Sequence, residues 1–230
     1  MIKENVSRIR QQILKVCSKI NQDPGKITII AVSKGRSAEE IKEAIAAGIT
    51  DIGENRVQEA ILKYNNLTPT PQHLTPIKWH MVGHLQTNKV KEAIGIFDLI
   101  QSVDSVRLAE EIDKQAHKIN KIQDILIEIK TSPEKSKFGL KADEAIEVIE
   151  DIVKLKNINI KGLMTIAPFV DNPEKTRPYF RMLKELRNKI NESAPMGYKL
   201  EVLSMGMTDD FEVAIEEGSN MVRLGRAIFE

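Results

Sequence analysis

The stretch ITIIAVSKGRSAEEIKEAIAAGITDIGENRVQEA, residues 27–60, holds one full period of the pattern that organises the chain. Ile27 to Val32 is an apolar, mostly β-branched run, which suits a pleated and buried strand better than a helix. Ser33-Lys34-Gly35 ends it. Ser37 then precedes AEEIKEAIAAG, where a serine cap, a Glu40 capping-box partner and Gly48 mark both ends of a helix. A second short run, Thr50–Gly53, follows, and ENRVQEA opens another helix over about 55–65. Strand, helix and strand at this spacing call for parallel pairing with a right-handed crossover.

The same alternation continues to the last residues. Further strands are predicted at Lys78–Gly83, Leu99–Val103, Asp124–Lys130, Ile160–Ile166, Leu200–Met205 and Met221–Leu224. Helices are predicted at about 87–95, 105–119, 142–154, 174–192 and 208–217, with a leading helix over 2–20. Asp104 and either Asp171 or Asn172 look like helix starts, and Pro178 should delay or kink the helix it enters. Eight strand–helix units in 230 residues predict one α/β domain over 1–230, a single (β/α)8 TIM barrel with an extra N-terminal helix. An open doubly wound sheet is the competitor, but it usually has fewer strands. The Pro- and Thr-rich segment 65–78 reads as a connection rather than a domain boundary.

Composition narrows the partners. Lysine and arginine total 34 against 33 acidic residues, so no bulk field draws nucleic acid or an anionic membrane. No apolar run reaches the length of a membrane span, and MIKENVSRIRQQ lacks a signal peptide's apolar centre. The single Cys17 excludes an internal disulfide and sits in a helical apolar stripe, as expected of a cytoplasmic protein. His73 and His117 read as surface residues, and Trp79 and His80 fall within a strand.

Barrel chemistry gathers where strands end. Those ends offer Lys34, Asn55, His84, Ser102 to Asp104, Lys130-Thr131, Met164-Thr165, Ser204 and Gly225-Arg226. LSMGMTDDF (203–211) and VRLGRAIF (222–229) supply glycines, a serine hydroxyl and free amides after the last two strands, a frequent phosphate position. Alternation puts Lys34 on one face with Ile30 and Val32, and Arg223 on one face with Met221 and Gly225. A lysine turned into the barrel mouth would lose hydration and become a nucleophilic amine. Taken alone, Arg223 could equally serve a structural ion pair, and Ser204 and Asn55 could equally cap helices. An amine, a phosphate cradle and an inward arginine together fit a phosphorylated aldehyde held as an imine, and pyridoxal 5′-phosphate meets that description.

At these residues the chain resembles the pyridoxal phosphate homeostasis protein family, itself similar to the N-terminal barrel of alanine racemase. The matching words are AVSKGR, DIGENRVQEA, WHMVGHLQTNKVK, SVDS, KFGL, GLMTIAP and LSMGMTDDFEVAIEEGSNMVRLGRAIF, in order from first strand to last. The resemblance implies a fold-type III barrel with the cofactor joined covalently to Lys34. It implies that Ser204 and the amides around Gly225 and Arg226 hold the phosphate. It places Arg223 at the pyridine nitrogen, Asn55 beside the ring, and His84 and Met164 on the pocket wall. The sequence departs from the family at Gly35-Arg36, at Arg226, where a small hydroxylic residue is common, and at Glu230, where glycine is.

An arginine cannot take the pyridine proton, so it favours a neutral ring and a weak electron sink. The barrel also uses the whole chain, which leaves no room for the racemase's second domain. The resemblance therefore implies a monomeric, non-catalytic carrier that buffers the cofactor or delivers it to pyridoxal-phosphate-dependent apoenzymes. A cofactor-dependent amino-acid racemase or decarboxylase is the alternative, followed by a cofactor-free Schiff-base aldolase.

Overall fold

Helix α1 (Ile2–Lys19) turns Ile2, Val6, Ile9, Ile13, Val16 and Cys17 inward, the three- and four-residue steps of one helical stripe. The computed structural model describes residues 1–67, 76–132, 138–193 and 199–230. His73 and Lys137 lie outside them, as does most of the connection at 65–78. After α1 the chain runs β1 (Thr28–Val32), α2 (Ala38–Ala46), β2 (Asp51–Glu54), α3 (Val57–Leu67), β3 (Lys78–Met81) and α4 (Val90–Ile94). It continues through β4 (Leu99–Val103), α5 (Val106–Lys118), β5 (Gln123–Lys130), β6 (Leu140–Lys141), α6 (Ala145–Ile152) and β7 (Ile158–Met164). The last elements are α7 (Arg177–Ser193), β8 (Val202–Ser204), α8 (Phe211–Glu216), β9 (Met221–Leu224) and α9 (Arg226–Phe229).

Every strand pairing is parallel, and the ring closes because β1 pairs with β2 on one side and β9 on the other, while β4 pairs with β5. Eight strands thus form the barrel expected from the sequence, and β6 adds a short, unforeseen rung beside β5. Helix α1 packs on α2, α8 and α9, and Asn5 Nδ2 donates to the Ile228 carbonyl at 3.0 Å. No helix among the described residues is long and apolar enough to cross a membrane.

Local chemistry explains the boundaries. Ser37 and Glu40 form the expected reciprocal capping box on α2, and Gly48 follows that helix at φ +89°. Helix α5 is capped by Ser105 rather than Asp104, because the serine hydroxyl reaches the Leu108 amide. Asn172 caps a short 3₁₀ turn, Pro173–Thr176, so α7 begins at Arg177 with Pro178 in its first turn.

The core has two layers. Between strands and helices lies the large apolar layer that includes Trp79, Phe97 and Phe180. Inside the barrel is a small cluster of Ile30, Leu99, Leu126, Met164 and Met221. Buried polar side chains accompany it, including Asp51, His80, Gln101, Glu128, Ser204 and Arg223.

Candidate functional site

The end of β1 is held before it releases Lys34. The Ser33 amide donates to the Gly53 carbonyl at 3.0 Å, and the Arg36 amide donates to the Ser33 carbonyl at 2.9 Å. That second bond closes a tight turn with Gly35 at φ +72°, a conformation that favours glycine. Lys63 Nζ also donates to the Ser33 carbonyl, at 2.6 Å, and pairs with the fully buried Glu54, which accepts from Ser33 Oγ as well. Ser33 precedes Lys34 and Glu54 precedes Asn55, so one buried ion pair fixes the backbone that presents both. The Lys34 side chain is exposed, without the desolvation expected from the sequence, and has no hydrogen bond or ion pair among the described residues.

Lys34 stands at the junction of two hollows at the C-terminal end of the barrel. One, a cleft of about 460 Å³, is walled by Lys34, Asn55, Arg223, Gly225 and Arg226, with Val32, Thr208, Asp209 and Phe169. The other, about 450 Å³, shares Lys34 and Asn55 and adds Arg56, His84 and Lys89. The structure thus gathers five of the six predicted cofactor residues, from both ends of the chain, around one cleft. Asn55 does not cap α3; its Oδ1 is buried without a hydrogen-bond partner among the described residues. His84 lines the second hollow, stacked on Phe138 at 3.8 Å between ring centroids, with Nδ1 3.5 Å from Asp104.

Two sequence expectations need correction. Ser204 is wholly buried and absent from the cleft wall; its hydroxyl lies below, accepting from Arg223 Nη1 and donating to Gln101 Oε1, both at 2.6 Å. The alternation of β8 turns it into the barrel. The Gly206 turn, at φ +95°, carries the chain outward again, so the hydroxyl reaching the cleft is that of Thr208. Thr208 Oγ1 accepts from the Ala227 amide at 3.2 Å. That residue was missed, although its signal, a hydroxyl two residues after Gly206, stood in the sequence. Met164 also leaves the wall, since it is fully buried in the interior cluster.

Arg223 forms the floor. Nη1 donates to the Ser204 carbonyl at 2.8 Å as well as to Ser204 Oγ, and Nη2 donates to the Thr165 carbonyl at 2.8 Å. A guanidinium has five N–H donors; among the described residues three of Arg223's find acceptors, which leaves two without one. Burial pulls its pKa down to about 10, opposed by Glu128 and Asp210. Burial likewise pushes the Glu128 carboxyl up to about 7, countered by Arg223 and reinforced by Asp104. At the rim Arg226 pairs with Asp209, and Arg36 pairs with Glu230 while lying over the Phe229 ring. Arg36 and Glu230, both departures from the family pattern, are therefore each other's partners. Gly225 and Arg226 open α9 beside the cleft, where the first N–H groups of a helix have no intrahelical acceptor.

Residues 4–230 match the family model of the alanine racemase N-terminal domain. A pyridoxal phosphate homeostasis protein of Aquifex aeolicus is 42% identical over 226 residues, covering 98% of this chain and 96% of that protein. The chain belongs to the pyridoxal phosphate homeostasis protein family. PipY of Synechococcus elongatus, whose solved structure has PLP bound, is 34% identical and superposes with a TM-score of 0.87, covering all of both chains. An alanine racemase of Clostridium difficile shares the fold at a TM-score of 0.75 and 18% identity, with this chain spanning 56% of that longer one.

Proposed function

We propose that this protein holds pyridoxal 5′-phosphate in the cleft as a Schiff base on Lys34, and that it stores and hands over the cofactor as a monomer without robust turnover. The observation that carries this reading is convergence. A free primary amine, a buried guanidinium with N–H groups to spare and the backbone that opens α9 all line one cleft of about 460 Å³. The residues fit the group. Bound pyridoxal phosphate supplies an aldehyde conjugated to a pyridine ring, a reactive carbonyl and an electron sink.

Each residue has a task. Lys34 offers the nucleophilic amine from its glycine-assisted turn. The amides of Gly225 and Arg226 and the Thr208 hydroxyl take the phosphate, as backbone nests do. The Arg226 side chain serves the rim through Asp209 rather than the phosphate. Arg223 donates toward the pyridine nitrogen and, being unable to accept a proton, leaves that nitrogen neutral. Asn55 stands beside the ring. An open cleft beside an exposed lysine favours exchange of the cofactor with solvent or with a recipient apoenzyme.

Mixing the protein with pyridoxal phosphate should produce the visible absorbance of a conjugated imine. Borohydride should bleach it and leave the label on the peptide containing Lys34. Lys34→Ala should abolish both signals, and labelling elsewhere would refute the assignment. Rapid conversion of an amino-acid panel by the loaded protein would instead establish an enzyme.

A further inference from the structure

Beneath Arg223, five buried side chains from five strands form an unbroken hydrogen-bonded line across the barrel interior. Arg223 (β9) meets Ser204 Oγ (β8) at 2.6 Å, which meets Gln101 Oε1 (β4) at 2.6 Å. Gln101 Nε2 lies 3.2 Å from His80 Nδ1 (β3), and His80 Nε2 lies 2.8 Å from Asp51 Oδ1 (β2). Thr50 Oγ1 donates to the other Asp51 oxygen at 2.6 Å. None of the five is more than 8% exposed, so water does not compete along the line.

The chemistry gives this line a direction. A guanidinium can only donate, so Ser204 Oγ receives a proton from Arg223 and must send its own onward. Gln101 Oε1 is the acceptor, which turns the amide nitrogen toward His80 Nδ1 and the Met221 sulfur at 3.4 Å. The reversed amide would point its donors at a serine already receiving one, and would leave the serine proton without this acceptor. His80 Nδ1 therefore bears a lone pair, and Nε2–H donates to the Asp51 carboxylate. Burial alone would raise Asp51, yet the hydrogen bonds from His80 and Thr50 bring it below the usual range, as a terminal acceptor requires.

We propose that Gln101 and His80 are positioning residues for the cofactor. They lock Ser204, and through it Arg223, with the spare guanidinium donors aimed at the ring. This inference rests on the cofactor reading above. It makes the line a one-way relay from the pyridine partner to a carboxylate on the opposite side of the barrel. Nothing in the relay transfers a proton; it orients donors.

The test uses histidine-labelled protein without cofactor, read by nitrogen NMR near neutral pH, with His80 assigned from His80→Asn among the four histidines. The expected wild-type signal is a neutral His80 with Nδ1 unprotonated and Nε2 protonated. Ionised, the glutamate of Gln101→Glu cannot donate to Nδ1, so it should move a proton onto that nitrogen. It should also shift the visible absorbance maximum of the loaded protein and weaken pyridoxal phosphate binding about tenfold, the scale of one lost charge-assisted hydrogen bond. Gln101→Met keeps the volume, loses both bonds and should likewise shift the spectrum, which serves if Gln101→Glu fails to fold. A wild-type His80 protonated at Nδ1 overturns the relay. An unchanged cofactor spectrum and affinity in Gln101→Glu or Gln101→Met overturns the positioning role. If wild type itself never responds to pyridoxal phosphate while His80 shows the expected tautomer, the cofactor reading has failed, and the positioning role with it.

Discussion

Glu128→Gln isolates the cost of a buried carboxyl. Glu128 is 5% exposed inside the barrel, and burial pushes its pKa up from 4.5 to about 7, with the Arg223 charge lowering it and the Asp104 charge raising it. In the unfolded chain the group returns to its ordinary value. Between those two values the native state binds more protons than the unfolded state, so stability falls as pH rises through the window. Each pH unit corresponds to about 1.4 kcal/mol, so the whole window amounts to about 3 kcal/mol. Glutamine fills nearly the same space and does not titrate. The expected outcome is that Glu128→Gln gains on wild type by up to about 3 kcal/mol between pH 4.5 and 7.5, with no further divergence above. Denaturant unfolding of both proteins without cofactor, at half-unit pH steps, measures this directly. A stability difference that stays flat across the window, or that favours wild type increasingly as pH rises, would refute the reasoning.

Other substitutions probe other parts of the structure. Gly162→Ala would set a Cβ 1.9 Å from the Val202 carbonyl oxygen on the neighbouring strand, so β7 and β8 must part. Thermal unfolding should show a loss of about 3 kcal/mol or more, the upper range for forced overpacking. Ser37→Ala removes the hydroxyl that accepts from the Glu40 amide and should cost about 1 kcal/mol by the same measurement. Thr208→Val keeps the shape but loses the hydroxyl, and should weaken pyridoxal phosphate by about 1–2 kcal/mol in equilibrium titration. Unaltered affinity would limit Thr208 to its contact with the Ala227 amide.

The barrel was legible because parallel strands buried on both faces leave apolar runs, and because Ser37, Gly48 and Asn172 mark helix ends chemically. Lys34, Asn55, Arg223, Gly225 and Arg226 could be brought together from the rule that strand ends share one rim. Ser204 could not be placed correctly, since its depth depends on where β8 stops and how sharply Gly206 turns. Only four positions along the chain separate the interior hydroxyl of Ser204 from the rim hydroxyl of Thr208. The line from Asp51 to Arg223 was equally hidden. His80 meets Asp51 and Gln101 only through the stagger between β2, β3 and β4, which no local pattern encodes. Exposure of Lys34 was misjudged for a related reason: alternation gives a face, but the Gly35 turn decides how far beyond the strand the amine stands.

The pairing of β1 with β9 has a consequence for how the protein acquires its pocket. Lys34 leaves the first strand and Gly225 the last, so their shared cleft exists only after the ring has been zipped along that seam. Contacts so distant along the chain form late and slowly during folding. Ligand capture should consequently lag behind the appearance of helical signal in a refolding experiment, and any compound lodged there acts as a clasp on the finished ring.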